Sequence, residues 1–176
     1  MRNNVNAFAL KKEALLVLAL LIGAAIVAPL LFKQQLIAGT IVNATLIIGV
    51  SLLGARDGLI IGLIPSSFAL ATGLLPPVLA PMVPFIILGN AILVLTFAYL
   101  SKFNYWVGVL VGGVLKLAFL YGISSVVIGL LINKQVASTV AQMMSWPQLV
   151  TAIAGGIVAF GVIKMVKGHQ KRQEIN

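Results

Sequence analysis

The stretch that decides the class of this protein is WVGVLVGGVLKLAFLYGISSVVIGLL, residues 106–131. Its only charged residue is Lys116. A helix of about 20 predominantly apolar residues is long enough to cross the hydrocarbon core of a bilayer, so the stretch is predicted to be a transmembrane helix. The whole chain has the same character, with 61% hydrophobic residues, 9% charged residues and a mean hydropathy of +1.14. Such a composition is typical of a polytopic membrane protein.

Five other apolar stretches resemble this one. We therefore predict an all-α integral membrane protein, a six-transmembrane-helix bundle that forms a single membrane domain over residues 1–176. The first stretch is too long for the apolar region of a signal peptide and is predicted to be retained. The predicted spans are 14–32, 36–55, 58–75, 82–100, 106–131 and 147–166.

The basic residues between the spans alternate from side to side. One side carries nine of them, and the opposite loops carry only Lys33 and Lys134. The positive-inside rule then places both termini in the cytoplasm. Because these charges lie at the ends of spans, they indicate topology and not a nucleic-acid-binding surface. The nine are Arg2, Lys11, Lys12, Arg56, Lys102, Lys164, Lys167, Lys171 and Arg172.

The sequence offers little for catalysis. The acids are Glu13, Asp57 and Glu174, all at or beyond membrane edges, and the single histidine, His169, is in the charged tail. No nucleophile-elbow, zinc-protease or Walker motif is present, and the absence of cysteine excludes disulfides and thiolate metal sites. We predict no catalytic residue, metal or cofactor. Asp57 is predicted to cap the third helix.

Lys116 is the strongest candidate for a binding role. A lysine at the bilayer centre costs about 2.5–3.5 kcal/mol on insertion scales and usually has a task. It lies ten residues from Trp106, roughly 15 Å along a helix, which is too deep for its ammonium to reach the surface. We expect it to hold a ligand that bears a carboxylate, phosphate or carbonyl group. Gly108 and Gly112 precede it on the same helical stripe.

Two asparagines inside predicted spans are further candidates. Asn90 lies about two turns after the prolines of LLPPVLAPMVP (residues 74–84), and Asn43 lies near Thr40 and Thr45. Each amide either contacts a ligand or bonds a neighbouring helix. We expect a pocket between the fourth and fifth spans. The proline-rich turn, predicted to be extended, is either the lid of this pocket or only a hairpin turn between two helices. The predicted substrate-binding residues are Lys116, Asn90, Asn43 and Gly112.

The first span carries two small-xxx-small pairs, Ala19 with Gly23 and Ala24 with Ala28. This spacing lets another helix approach closely. The pairs serve either the packing of this bundle or the binding of an external partner.

Four segments carry a family resemblance: GTIVNATLIIGVSLLGARDGLIIGLIPS, LLPPVLAPMVPFIILGNAILV, GGVLKLAFLY and WPQLVTAIAGG. They resemble the substrate-binding S components of energy-coupling-factor (ECF) vitamin transporters. They are also similar to a bacterial family of S-component-like membrane proteins that often carries the label iron hydrogenase. Iron–sulfur clusters are held by cysteine thiolates, which this chain lacks.

The resemblance to S components implies a six-helix bundle in the bacterial cell membrane that binds a vitamin-like nutrient from the outer side. It implies delivery through an ECF coupling transmembrane subunit and two ATPase subunits. Lys116 and Asn90 match positions from which such proteins contact substrate. Ala24 and Ala28, and loosely Ala19 and Gly23, match the surface that contacts the coupling subunit. The alternatives are a structural or assembly membrane protein and a small passive channel. The sequence identifies neither the ligand nor the oligomeric state.

Overall fold

The fold is a bundle of α-helices. The computed structural model describes residues 2–32, 34–73, 77–131 and 134–173, and no strand occurs within these ranges. A 3₁₀ helix at Pro77–Met82 precedes the fourth α-helix. The α-helices are α1 (Arg2–Leu31), α2 (Gln35–Leu53), α3 (Ala55–Ala71), α4 (Val83–Leu100), α5 (Tyr105–Leu131), α6 (Lys134–Met143) and α7 (Pro147–Gln173).

Five helical segments of the described chain are long and apolar enough to cross a membrane. They are Lys12–Leu31, Gln35–Leu53, Ala80–Leu100, Tyr105–Leu130 and Ala137–His169. The predicted span 58–75 corresponds to α3, which has 17 residues and a length of about 25 Å at the α-helical rise. Residues 74 and 75 of that predicted span lie outside the described ranges.

Helix α2 forms the centre of the bundle and packs against α1, α3, α4 and α7. Its contact with α7 is the most extensive, because Gly155 lets the two backbones meet. A Cβ atom at Gly155 would lie 2.8 Å from the backbone nitrogen of Ala44 and 2.9 Å from the carbonyl oxygen of Thr40. A glycine at this position therefore sets the distance between two helices.

The close contacts also fix the helix directions. Gly62 of α3 lies against Asn90 of α4, and Gly112 of α5 lies against Leu93 of α4. Helices that follow one another from α1 to α5 are antiparallel, whereas α2, α4 and α7 run parallel to one another, with Gly39 of α2 beside Thr151 of α7. The N-terminal part of α1 and the C-terminal part of α7 consequently lie at the same end of the bundle, which we call the basic end.

The half of the bundle nearest the basic end contains a packed apolar core. Its residues include Ile47, Phe97, Val109 and Ile163. The Tyr105 hydroxyl donates a hydrogen bond of 2.7 Å to the carbonyl oxygen of Gly156, and the rings of Tyr105 and Phe97 meet edge to face at 5.4 Å. We call this region the closed half.

Two local predictions are wrong. Helix α3 begins at Ala55, after Gly54, whose φ of +102° lies in a region that favours glycine, so Asp57 is in the first turn and does not cap the helix. The segment from Pro77 is a 3₁₀ helix and not extended, because the fixed φ of proline also suits helical turns. Pro84 lies in the first turn of α4, where its missing N–H needs no partner. Pro76 lies outside the described residues.

Helix α6 was not predicted. It is strongly amphipathic, and its 10 residues are too few to cross a membrane as a helix of their own. Val140 and the following Met144 pack with Met82, Leu120 and Val127 in a second apolar cluster. This cluster lies at the end of the bundle opposite the basic end.

Candidate functional site

A cavity of about 610 Å³ lies in the half of the bundle opposite the closed half. Cavities of this size accommodate small-molecule ligands. Its wall is mostly apolar, with polar side chains at the floor and near one edge. The described lining residues are Ala25, Ile26, Pro29, Leu30, Phe32, Gln35, Ala38, Gly39, Val42, Asn43, Pro65, Ser66, Phe68, Ala69, Val83, Ile86, Asn90, Lys116, Met143, Gln148 and Thr151.

Lys116 lies at the floor of this cavity and is held by two amides. Its ammonium nitrogen donates hydrogen bonds to Oδ1 of Asn43 at 2.7 Å and to Oδ1 of Asn90 at 2.8 Å. Its side chain is only 3% exposed. An ammonium group has three N–H donors, so one donor remains for a group inside the cavity.

Both amides are fixed by a second hydrogen bond. Nδ2 of Asn43 donates to Oγ1 of Thr151 at 3.1 Å, and Nδ2 of Asn90 donates to the carbonyl oxygen of Gly62 at 3.3 Å. These bonds orient both Oδ1 atoms toward Lys116. Four helices, α2, α3, α4 and α7, thus position a single charged side chain on α5.

The floor of the cavity carries a positive charge with no acidic residue beside it among the described lining residues. No Asp or Glu is among the described residues that line the cavity. Asn43 and Asn90 supply dipoles but no negative charge, and both are at least 98% buried. A buried charge without a paired charge is expensive. The site is therefore suited to an anion that enters the cavity.

Two glutamines lie at the opposite edge of the cavity, which we call the mouth. Nε2 of Gln35 donates to the carbonyl oxygen of Met143 at 2.6 Å, and Nε2 of Gln148 donates to the same oxygen at 2.9 Å. Gln35 begins α2, Gln148 is in the first turn of α7, and Met143 ends α6. The end of α6 is consequently tied to both helices beside the cavity.

The structure brings together three of the four predicted substrate-binding residues, Lys116, Asn90 and Asn43. It places Gly112 elsewhere: a Cβ atom there would lie 2.9 Å from Cδ1 of Leu93, so Gly112 serves the contact between α5 and α4. The cavity also differs in location from the pocket predicted between the fourth and fifth spans. The cavity lies mainly among α1, α2, α3 and α4, because α5 is turned so that only Lys116 among its described residues reaches it.

The four residues of the predicted partner surface on α1 differ in their exposure. Ala19 and Ala24 are exposed and Gly23 is half-buried. Ala28 is 3% exposed, like its neighbour Ala25, so it faces the bundle. The residues that α1 offers to an external helix are therefore Ala19, Gly23 and Ala24.

Sequence reasoning missed Thr151, Gln148 and Gln35. Each is a polar residue in the first two turns of a membrane helix, where polar side chains are common, and hydropathy alone did not distinguish them. The available signal was position: Gln35 lies in the first turn of the helix that carries Asn43, and Gln148 lies in the first turn of another helix that ends at the basic end.

Comparison with known protein families assigns the chain. A family model described as "ECF transporter, substrate-specific component" matches residues 13–167. Searches of curated proteins and of solved structures gave no significant match. The resemblance to the family labelled iron hydrogenase is not supported by these comparisons. Substrate-specific components are transport subunits rather than enzymes; they bind a small molecule and work with a coupling subunit and ATPases. Since the match covers most of its length, the chain belongs to the family of substrate-specific components of ECF transporters.

Proposed function

We propose that this protein captures a small, vitamin-like nutrient from the extracytoplasmic side of the bacterial cell membrane. It then delivers the nutrient through an ECF coupling subunit driven by two ATPase subunits. The observation that carries the proposal is the buried Lys116 ammonium at the cavity floor, oriented by Asn43 and Asn90. A bundle held together by packing alone has no need of a charge at this depth.

The position of the cavity supports entry from outside. It is formed by the C-terminal halves of α1 and α3 and the N-terminal halves of α2, α4 and α7. The basic end, with Lys12, Arg56, Lys102 and Lys164, is the opposite end of the same helices. By the positive-inside rule the basic end faces the cytoplasm, together with both termini, and the cavity faces away from it.

This topology requires an even number of spans, and α3 supplies the sixth. Helix α3 packs between α2 and α4 and runs antiparallel to both. Gly54 closes the turn into α3 at the basic end. The C-terminal half of α3 borders the cavity, which it lines with Pro65, Ser66, Phe68 and Ala69. A short helix is compatible with this position.

The coupling subunit is proposed to contact the exposed face of α1. Ala19 and Ala24 are exposed there, and Gly23, which lies between them around the helix, is half-buried. Small side chains allow a partner helix to approach closely, and the neighbouring Leu16 and Leu20 are more than 60% exposed. Ala28 is not part of this surface.

Native mass spectrometry of the purified protein tests the proposal. We expect the wild-type protein to carry a co-purified metabolite that is absent from a Lys116→Ala variant. The matched control is Lys102→Ala, which removes an exposed lysine at the basic end and should retain the metabolite. An empty wild-type protein together with a destabilised Lys116→Ala variant would instead indicate a structural or assembly protein.

Liposomes that contain the chain alone test the channel alternative. A capture subunit should show little solute flux without its ATPase partners. The closed half supports this expectation, since large side chains such as Phe97 and Ile47 fill the space below the cavity floor. Rapid flux through the isolated chain would contradict the proposal.

A further inference from the structure

The shape and polarity of the cavity define the ligand more narrowly than the family does. We infer that the ligand is an elongated monocarboxylate, with its anionic group at Lys116, an apolar body, and a hydrogen-bond donor at its far end that is recognised by Gln35 and Gln148. This inference rests on the proposed function and adds the chemical class of the substrate. It also assigns the two glutamines as specificity-determining residues.

The floor selects a single negative charge. Lys116 is the one cation among the described lining residues, and two of its three N–H donors are committed to Asn43 and Asn90. A carboxylate carries one charge and accepts a bond from the remaining donor. A phosphate monoester carries about −1.5 to −2 charges, which the single positive charge of Lys116 does not neutralise. The floor therefore favours a carboxylate.

The asparagines reinforce this selection because their oxygens accept from Lys116 while their amide nitrogens can still donate. One N–H of each amide donates to Thr151 or to Gly62, and the second N–H of each is available to an acceptor on the ligand. An anion meets no competing negative charge among the described lining residues.

The mouth offers hydrogen-bond acceptors, whereas the floor offers a hydrogen-bond donor. The Nε2 atoms of Gln35 and Gln148 both donate to the carbonyl oxygen of Met143, which fixes the orientation of both amides. Their Oε1 atoms take no hydrogen bond from another described residue. Both glutamines line the cavity, so each brings an amide oxygen to the mouth. We take this pair of oxygens as the acceptors for a ligand hydroxyl or N–H group.

The distance between the two polar regions sets the length of the ligand. Asn43 and Gln35 lie on the same helix, eight residues apart, which is about 12 Å at the helical rise. The wall between them is apolar and includes Val42, Pro65 and Ile86. The ligand therefore has a hydrocarbon-like body of roughly this length between its two polar ends.

Calorimetric titration of the purified protein with four synthetic probes tests the inference. The probes are 8-hydroxyoctanoate, its neutral amide 8-hydroxyoctanamide, octanoate, and 8-hydroxyoctyl phosphate. We expect 8-hydroxyoctanoate to bind about 10- to 100-fold more tightly than the amide, the range expected for a hydrogen bond to a charged group. It should also bind more tightly than octanoate and than the phosphate.

Two kinds of variant assign these preferences to residues. Asn90→Asp keeps the shape of the floor but pairs Lys116 with a protein carboxylate, so the preference for acid over amide should disappear, as it should in Lys116→Gln. The double variant Gln35→Leu with Gln148→Leu should remove the preference for the hydroxylated acid over octanoate and retain the preference for acid over amide.

Equal or tighter binding of the amide by the wild-type protein overturns the inference and leaves the capture function standing. Acid selectivity that persists in Asn90→Asp, tighter binding of the phosphate, or no binding of 8-hydroxyoctanoate at millimolar concentration also overturns it. The proposed function fails separately, when native mass spectrometry finds no co-purified metabolite.

Discussion

The two halves of this bundle are built from the same helices and similar residues, yet one contains a packed apolar core and the other contains a cavity. In the closed half, Gly156 of α7 meets Val109 of α5, and Phe97 fills the space beside Tyr105. In the cavity half, the same helices diverge around about 610 Å³. The residues that separate the halves are polar: Asn43, Asn90 and Lys116 form one layer across the bundle.

The comparison shows how a membrane protein can maintain a cavity. Glycines at close helix contacts hold the closed half together, and the polar layer above it is satisfied by its own hydrogen bonds. Helix packing in a bilayer depends on such close contacts and interhelical hydrogen bonds, because lipid is as apolar as leucine and provides little hydrophobic drive. The cavity therefore rests on a rigid base.

Substitution of two alanines on α2 is expected to give the largest difference in stability between the two halves. Ala44 is 3% exposed in the core of the closed half, and Ala38 is 9% exposed and lines the cavity. We expect Ala44→Leu to lower the free energy of unfolding by about 3 kcal/mol, because added methylenes overpack a filled core. Ala38→Leu should change stability little and weaken ligand binding, because the side chain enters the cavity. Thermal unfolding in detergent and calorimetric titration measure the two effects; equal destabilisation would contradict the contrast.

Substitution of two glycines on α7 is expected to give a smaller change in stability. A Cβ atom at Gly155 would lie 2.8 Å from both the Ala44 nitrogen and Cβ of Asn43, whereas nothing lies within 4 Å of one at Gly161. We expect Gly155→Ala to destabilise the protein by about 2 kcal/mol and to disturb the Asn43 bond to Lys116. Gly161→Ala should stabilise it by up to about 1 kcal/mol through helix propensity. Thermal unfolding of both variants checks the signs, and a stable Gly155→Ala would show that α2 and α7 can separate freely.

The smallest expected effect lies in the closed half. Tyr105→Phe removes the hydrogen bond to the Gly156 carbonyl and should cost about 1 kcal/mol of stability. Ligand affinity should not change, since Tyr105 is not among the residues that line the cavity. Tyr99→Phe, at a side chain that is 65% exposed, is the matched control and should leave the unfolding temperature unchanged. A loss of ligand affinity in Tyr105→Phe would show that the two halves are coupled.

Hydropathy predicted the long helices because the bilayer demands length and apolarity from each span. It predicted neither α6 nor the 3₁₀ helix, since both are short and their conformation depends on the helices they pack against. Lys116 was identified from sequence because a central charge is rare in a membrane helix. The sequence did not identify Gln35, Gln148 and Thr151, because polar residues are common near the ends of membrane helices.

The order of residues along the chain was enough to identify a membrane protein, its basic end and a buried charge that needs partners. Which faces of the helices meet could be learned only from the folded bundle. The physical reason is that an apolar helix face suits lipid and protein neighbours equally well. The rotation of α5, which turns Gly112 toward α4 and Lys116 toward the cavity, was therefore fixed by contacts with Leu93, Asn43 and Asn90.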